Sequence, residues 1–273
     1  MANTTVTTAA NFIPEIWSKE VIAAAEANLV LANLVWRFDA DVSAAGDTIH
    51  VPNLSDFTAQ DKVAGTSTSP QANTESKVDI DIDQHKEITF LLEDIVKTQS
   101  SYDLMSKFTG KAGYGIAKAV DSSIAALATG LSQTKGTYNT AITSDVVLDS
   151  IELLDLADAP QDNRFFAFRP DVKRDLLDID RYVSMDFKKS MGVETGMIGE
   201  LYGIPTYMST NILKSVDNTS NILAHKDCLA LAMQKSPRTQ SDYRIEELAT
   251  QVTVDTIYGV KEMRDDFGVL VKT

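Results

Sequence analysis

Asp47-Thr48-Ile49-His50-Val51-Pro52 and Val78-Asp79-Ile80-Asp81-Ile82-Asp83 frame the stretch of this chain that decides its fold. The first reads as a short strand that Pro52 is expected to stop, because proline cannot donate to a ladder. The second alternates apolar and acidic residues with period two, the pattern of a half-buried strand. Between them, residues 53–77 are dominated by Ser, Thr, Asp, Gln, Asn and Gly, including Gly65-Thr66-Ser67-Thr68-Ser69-Pro70. Loops longer than about 12–15 residues are uncommon in compact domains and are usually functional or disordered. A projecting two-stranded arm over Asp47–Leu91 buries too little apolar surface to stand alone in water. It needs a neighbour to lie on, which points to assembly rather than catalysis.

The composition agrees with that direction. Of 273 residues, 44% are hydrophobic, enough for a core in one large domain or two modest ones, and enough to exclude wholesale disorder. Aromatic residues make up only 7%, which argues against base-stacking platforms for single strands. The formal net charge of −14 opposes the phosphate neutralisation on which nucleic-acid affinity rests. The first cation is Lys19, and the neighbouring pairs Lys173-Arg174 and Lys188-Lys189 read as solvated surface charge. Sequence-specific DNA binding is not expected. Cys228 is the single cysteine, so no intrachain disulfide is possible and a reducing compartment is natural. Its run, Cys228-Leu229-Ala230-Leu231-Ala232-Met233, suits a small buried hydrophobe. Met1-Ala2-Asn3-Thr4-Thr5 lacks the basic and apolar regions of a signal peptide. No apolar run approaches the roughly 18 residues of a membrane helix. The expectation is a protein made in a cytoplasm that leaves it only within something larger.

Along the chain, residues 1–12 read as a polar tail and Pro14 as the first turn of a helix carrying Ile16, Trp17, Val21, Ala24 and Ala25. Leu29 to Trp36 is apolar and fits helix or strand. Glu87-Ile88-Thr89-Phe90-Leu91 continues extended structure, and Asp94 or Ser100 opens a helix. Tyr102 to Leu131 is the best helix: Met105, Phe108, Ala112, Ile116, Ala119, Val120, Ile124, Leu127 and Leu131 recur at three- and four-residue steps. Gly110, Gly113 and Gly115 lie inside it, each costing about 1 kcal/mol against alanine. They mark either close packing or a bend. Gly130 to Thr143 reads as a polar connection, with Ser144-Asp145 capping a helix to about Ala159. Phe165-Phe166-Ala167-Phe168 reads as a buried strand broken by Pro170, followed by a short helix from Asp171 to Ile179. Gly192 to Pro205, with four glycines, reads as loop. Strands are expected at Thr206–Met208, Asn221–Ala224, Gln251–Tyr258 and Gly268–Val271, with helix or strand through Met233. Helices and strands are segregated rather than alternating, an α+β order without internal repeats.

Known chemistries do not fit. Asp79, Asp81 and Asp83 begin a calcium-loop pattern, but Gln84 stands where glycine is required and Phe90 where glutamate is. His50, His85 and His225 have no second ligand at metal spacing. Gly113-Tyr114-Gly115 lacks the third glycine and the preceding strand of a dinucleotide fingerprint, and neither a phosphate-binding loop nor a Gly-x-Ser-x-Gly elbow is present. No cofactor, metal or catalytic residue is assigned, and the chain is not expected to be an enzyme.

With enzymes set aside, the order of elements resembles the major capsid proteins of tailed bacteriophages, the Hong Kong 97-type fold. The resemblance is carried by Phe12-Ile13-Pro14-Glu15-Ile16-Trp17, by Gly46–Pro52 with Val78–Glu87, and by the long helix Tyr102–Leu131. It continues in Arg164–Pro170, in Gly196-Met197-Ile198-Gly199-Glu200-Leu201-Tyr202-Gly203-Ile204-Pro205 and in Tyr258–Arg264. It implies an N-terminal arm at residues 1–46, an extended loop hairpin with its flanking strands at 47–91, and a peripheral domain with the spine helix at 92–132. An axial domain follows at 133–235, with return strands of the peripheral domain at 236–273. It further implies pentamers and hexamers closing an icosahedral shell around phage double-stranded DNA, so that the mature location is the virion, assembled in the host cytoplasm. Partners would be further copies of the chain, a portal and, since the arm begins almost at Met1, a separate scaffolding protein or none in this form. DNA would be enclosed without sequence-specific binding, and no membrane is involved. Contacts between subunits are expected at Phe12, Trp17, Phe57, Lys62, Pro70, Gly196 and Gly199, and a bend of the spine helix at Gly110, Gly113 and Gly115. Lys62 is the lysine inside the loop, yet no crosslinking partner can be placed, so the shell is expected to hold by non-covalent contacts. An encapsulin-type nanocompartment shares the fold and is the alternative; a soluble acidic enzyme is the rival of a different class.

Overall fold

The computed structural model describes residues 30–40, 42, 46–54, 57–68, 70–72, 75–99, 104–177, 197–215 and 218–273. The helix expected from Pro14, with Phe12 and Trp17, lies outside these residues, as does Gly196. The ambiguous apolar cluster resolves into a 3-10 turn at Leu31–Asn33 and a short strand β1 (Trp36–Arg37). β2 (Thr48–Leu54) and β3 (Glu75–Asp81) then form the expected hairpin, with Thr48 opposite Asp81 and Leu54 opposite Glu75. Pro52 does not stop β2. A two-stranded ribbon has two free edges, where a missing N–H is tolerated. The acidic alternation also ends one step early: β3 stops at Asp81, and β4 (Gln84–Glu93) joins a different sheet.

A short helix α1 (Asp94–Gln99) leads to α2 (Leu104–Leu127), which ends in a 3-10 turn at Ala128–Gly130. The polar connection after it contains a three-residue strand, β5 (Thr134–Gly136). α3 (Ser144–Leu156) is capped one residue earlier than the sequence suggests: the Thr143 hydroxyl accepts the Val146 N–H. β6 (Arg164–Phe168) is buried along its whole length and α4 (Lys173–Leu177) follows Pro170. The glycine-rich stretch is a hairpin in its described part rather than a loop, β7 (Met197–Leu201) against β8 (Ile204–Met208). Tyr202 and Gly203 both take positive φ between them, the geometry of a two-residue hairpin turn. β9 (Lys214–Ser215) and β10 (Asn218–His225) precede the longest strands, β11 (Leu229–Arg244) and β12 (Ala249–Glu262), and β13 (Gly268–Lys272) closes the chain. The apolar run to Met233 is thus only the start of β11. Pro237 hides the continuation, but it falls where the β11–β12 register shifts between Lys235 and Arg238, and irregular positions of this kind accept proline.

Two larger sheets organise these strands. One is mostly antiparallel, in the order β1-β11-β12-β4, and α2 packs on it through Ala112, Ile116, Ile88 and Val254. The other runs β5-β13-β10-β6-β8-β7, with β9 beside β10. Its centre holds the main core, where Phe166, Phe168, Ile222, Leu223 and Val269 meet Val120 and Ile124 from the far end of α2. The mixed α+β class is as expected. The hairpin β2–β3 belongs to neither sheet. Its base alone is anchored: Ile80 is fully buried against Ala230 and Ala232, with Ile49, Val51 and Ile82 around it. At that base Gly259 lets two backbones touch, since a Cβ there would stand 2.2 Å from the Asp81 carbonyl oxygen. No described helix is long and apolar enough to cross a membrane.

Candidate assembly surface

The arm is stiffened by pairings that the sequence pattern does not reveal. On its outer face the His50 Nδ1 lies 2.6 Å from one Asp79 carboxylate oxygen and the Lys77 ammonium 3.0 Å from the other. These two partners, His50 first, hold the Asp79 carboxyl below its ordinary value. Beyond the last ladder pair, the Gln71 side-chain amide imitates a strand: it accepts the Thr58 N–H at 3.2 Å and donates to the Thr58 carbonyl at 2.5 Å. At the tip the Lys62 ammonium donates to the carbonyls of Val63 and Thr66. The Thr66 hydroxyl donates to Val63 as well, at 2.8 Å, and Gly65 supplies the positive φ of the turn.

This polar frame displays apolar residues to solvent. Phe57 is 69% exposed and Val63 65%, and Pro70 is exposed as well. Large apolar side chains held outward on an arm mark a surface meant to be covered. Of the residues expected at subunit contacts, the structure therefore brings Phe57, Lys62 and Pro70 together on one projecting loop. Gly199 is elsewhere, at the irregular step of the β7–β8 pairing, where its carbonyl accepts the Thr206 hydroxyl at 2.8 Å. Gly110 and Gly115 sit in the unbroken helix α2. A Cβ at Gly110 would meet open space, whereas one at Gly115 would stand 2.6 Å from the Ile88 δ-methyl.

Sequence reasoning missed a second exposed apolar set. Ile95 and Val96 on α1 and Ile245 and Leu248 in the β11–β12 turn are all exposed. Asp94 ties the two elements together, donating its N–H to the Leu248 carbonyl and accepting the Tyr243 hydroxyl. The available signal was an apolar pair, Ile245 and Leu248, enclosing Glu246 and Glu247. A further groove of about 360 Å³ at the hairpin base is lined by Trp36, Phe38, Val51, Pro52, Met263 and Arg264, among others.

Reactive groups are few in this setting. Among the described residues no three His, Cys, Asp or Glu side chains gather as a metal would require. Cys228 is fully buried, and burial pushes its thiol far above the range in which a thiolate forms. Glu262 is raised by burial and by the neighbouring Asp265, but the pair lies beside the buried Cys228 rather than in an open cleft.

The sequence matches no protein-family model and no curated protein. Its three-dimensional relatives are clear. A chain from Mycobacterium phage Che8 superimposes with a TM-score of 0.74 at 24% identity, covering 89% of this chain and 90% of that one. The capsid structure of the Cyanophage P-SCSP1u gives 0.70 at 14% identity over 89% and 87%. The mature capsid of bacteriophage PhiM1 gives 0.70 at 15% identity over 90% and 87%. The likeness covers nearly the full length of each partner, and the chain has the fold of a tailed-phage major capsid protein.

Proposed function

We propose that this chain is the major capsid protein of a tailed phage, self-assembling into pentamers and hexamers that close an icosahedral shell around double-stranded DNA. One observation carries the reading: a stiffened arm with Phe57 and Val63 held out to solvent, on a fold shared with phage capsids. On this reading residues 1–46 form the N-terminal arm, 47–91 the loop hairpin and its flanking strands, and 92–132 with 236–273 the peripheral domain. Residues 133–235 form the axial domain. The subunit acts as a tile. Each contact is weak, but a subunit makes several at once, so a closed shell is stable while single contacts stay reversible. The net charge of −14 suits a wall that retains DNA without adsorbing it. Lys62 spends its ammonium on two loop carbonyls, which favours non-covalent closure over crosslinking. The role is structural rather than enzymatic, its place the virion, with a scaffolding protein and a portal as assembly partners in the host cytoplasm.

Removing residues 57–75 tests the reading. The truncated subunit should fold, because the arm is anchored only at its base, yet fail to close shells; normal shells would refute the proposal. The glycines of α2 bear on a later step. A bend at Gly113 during shell expansion predicts slower expansion in Gly113→Ala, and unchanged kinetics would leave close packing as their role.

A further inference from the structure

The acidic surplus is not spread evenly over the helices. α3 carries Asp145, Asp149, Glu152 and Asp155, all exposed, and no cation. α2 reverses the sign. Lys107, Lys111, Tyr114 and Lys118 are all exposed, and their spacing sets them on one side of a 3.6-residue helix. Asp121, the one acidic residue of α2, is buried, and its carboxylate is taken up by Val30, Ala32 and Asn211. Every exposed charge of α2 is therefore positive. Lys111 and Lys118 stand about 10 Å apart along the helix axis, with Tyr114 between them and 47% exposed.

Such a face does not suit a second copy of the chain. Lysine is depleted in protein–protein interfaces. The apolar groups that a copy would cover, Phe57, Val63, Ile95, Ile245 and Leu248, lie instead on the hairpin, on α1 and in the β11–β12 turn. Lysine ammonium and tyrosine hydroxyl groups are common donors to the phosphate oxygens of DNA. α2 also holds no Arg, Asn or Gln for bidentate reading of base edges. We propose that the exposed face of α2 is a sequence-independent footing for the phosphate backbone of double-stranded DNA. This footing rests on the shell reading, in which it lines the lumen, and names where the enclosed polymer touches its wall. Acidic surface elsewhere repels the polymer, so the contact is local. Two or three neutralised phosphates per subunit bind weakly, with a salt slope of about −1.8 to −2.7. Many subunits along one polymer add such contacts together.

Fluorescence anisotropy of a short labelled duplex of mixed sequence, titrated with the purified protein, tests the footing. Affinity should fall at least about tenfold between about 50 and 200 mM salt. Lys111→Gln combined with Lys118→Gln should flatten that dependence, and because glutamine matches lysine in helix propensity the variant keeps its fold. Lys226→Gln combined with Lys235→Gln removes the same charge from exposed positions outside α2 and should leave the slope unchanged. No binding at the lower salt, an unflattened slope in the α2 variant, or an equal loss in the two variants would overturn the footing. Shells formed by the unaltered protein would in each of those cases leave the shell reading intact. An α2 variant that binds the duplex normally yet no longer closes shells would assign the face to a contact between copies, and overturn the footing as well. Unaltered protein that forms neither rings nor shells would overturn the shell reading, and with it the footing's place on the lumen wall.

Discussion

Asp121 is the residue through which α2 is hydrogen-bonded to two segments distant in sequence. It is fully buried, and its carboxylate accepts the N–H groups of Val30 at 3.2 Å and Ala32 at 3.3 Å and the Asn211 side-chain amide at 3.3 Å. One side chain thus ties the turn before β1 and the segment before β9 to the last third of α2. Burial raises its pKa in spite of these donors. Asp121→Asn keeps one accepting oxygen but turns an NH2 toward the donor or donors that the other oxygen now serves. A loss of about 1–3 kcal/mol is expected from unpairing buried hydrogen-bonding groups, read as a lower denaturant midpoint; an unchanged midpoint would remove Asp121 from this role. Asp255 has the opposite sign. The Arg238 guanidinium, at 2.8 Å through both nitrogens, is the largest influence and His85 adds to it, holding the carboxyl below its ordinary value of 3.8. A depressed carboxylate contributes stability that is present above that ordinary value and lost as pH falls through the folded one. Acid unfolding should therefore set in at a higher pH, and with a smaller pH dependence below 3.8, once Arg238→Met has removed the partner. Identical acid profiles for the two proteins would contradict that assignment.

At the scale of elements, the junction between hairpin and body is backbone on backbone. A Cβ at Gly259 would meet the Asp81 carbonyl oxygen and carbon and the Ile82 Cα, none of which is the free end of a flexible side chain. Gly259→Ala should cost about 1–3 kcal/mol by forcing a backbone shift. The loss should appear as faster proteolysis within residues 47–83 before global unfolding; equal protection of that segment would disprove the junction. The elements legible from sequence were those whose pattern is local. The alternation of Val78 to Asp83 marked β3, which ends two residues sooner, and the three- and four-residue steps from Met105 to Leu131 marked α2, whose α-helical part ends at Leu127. What stayed hidden depended on distant partners. The strand through Lys235 to Arg244 is polar and interrupted by Pro237, and it exists because β12 pairs along it. The β7–β8 hairpin was masked by glycines that serve its turn and its bulge. The candidate surface was legible only in part. Phe57 and Lys62 stood out within a long polar loop, whereas the exposed set of Ile95, Val96, Ile245 and Leu248 unites a helix and a turn whose contact no sequence pattern states.

For the whole molecule, the distribution of exposed apolar groups is the deciding property. A subunit that kept Phe57, Val63, Ile95, Ile245 and Leu248 in water would present a standing risk of indiscriminate association. Copies of itself, placed in register by a fold shared with phage capsids, are the natural cover. The acidic surplus restrains that association until several contacts form together. Electron microscopy of the purified protein, alone and co-expressed with the proposed scaffolding partner, tests this most directly. Closed shells or rings of five and six subunits are expected. A strictly monomeric protein under those conditions would contradict the tile and return the chain to the class of acidic proteins in search of a ligand.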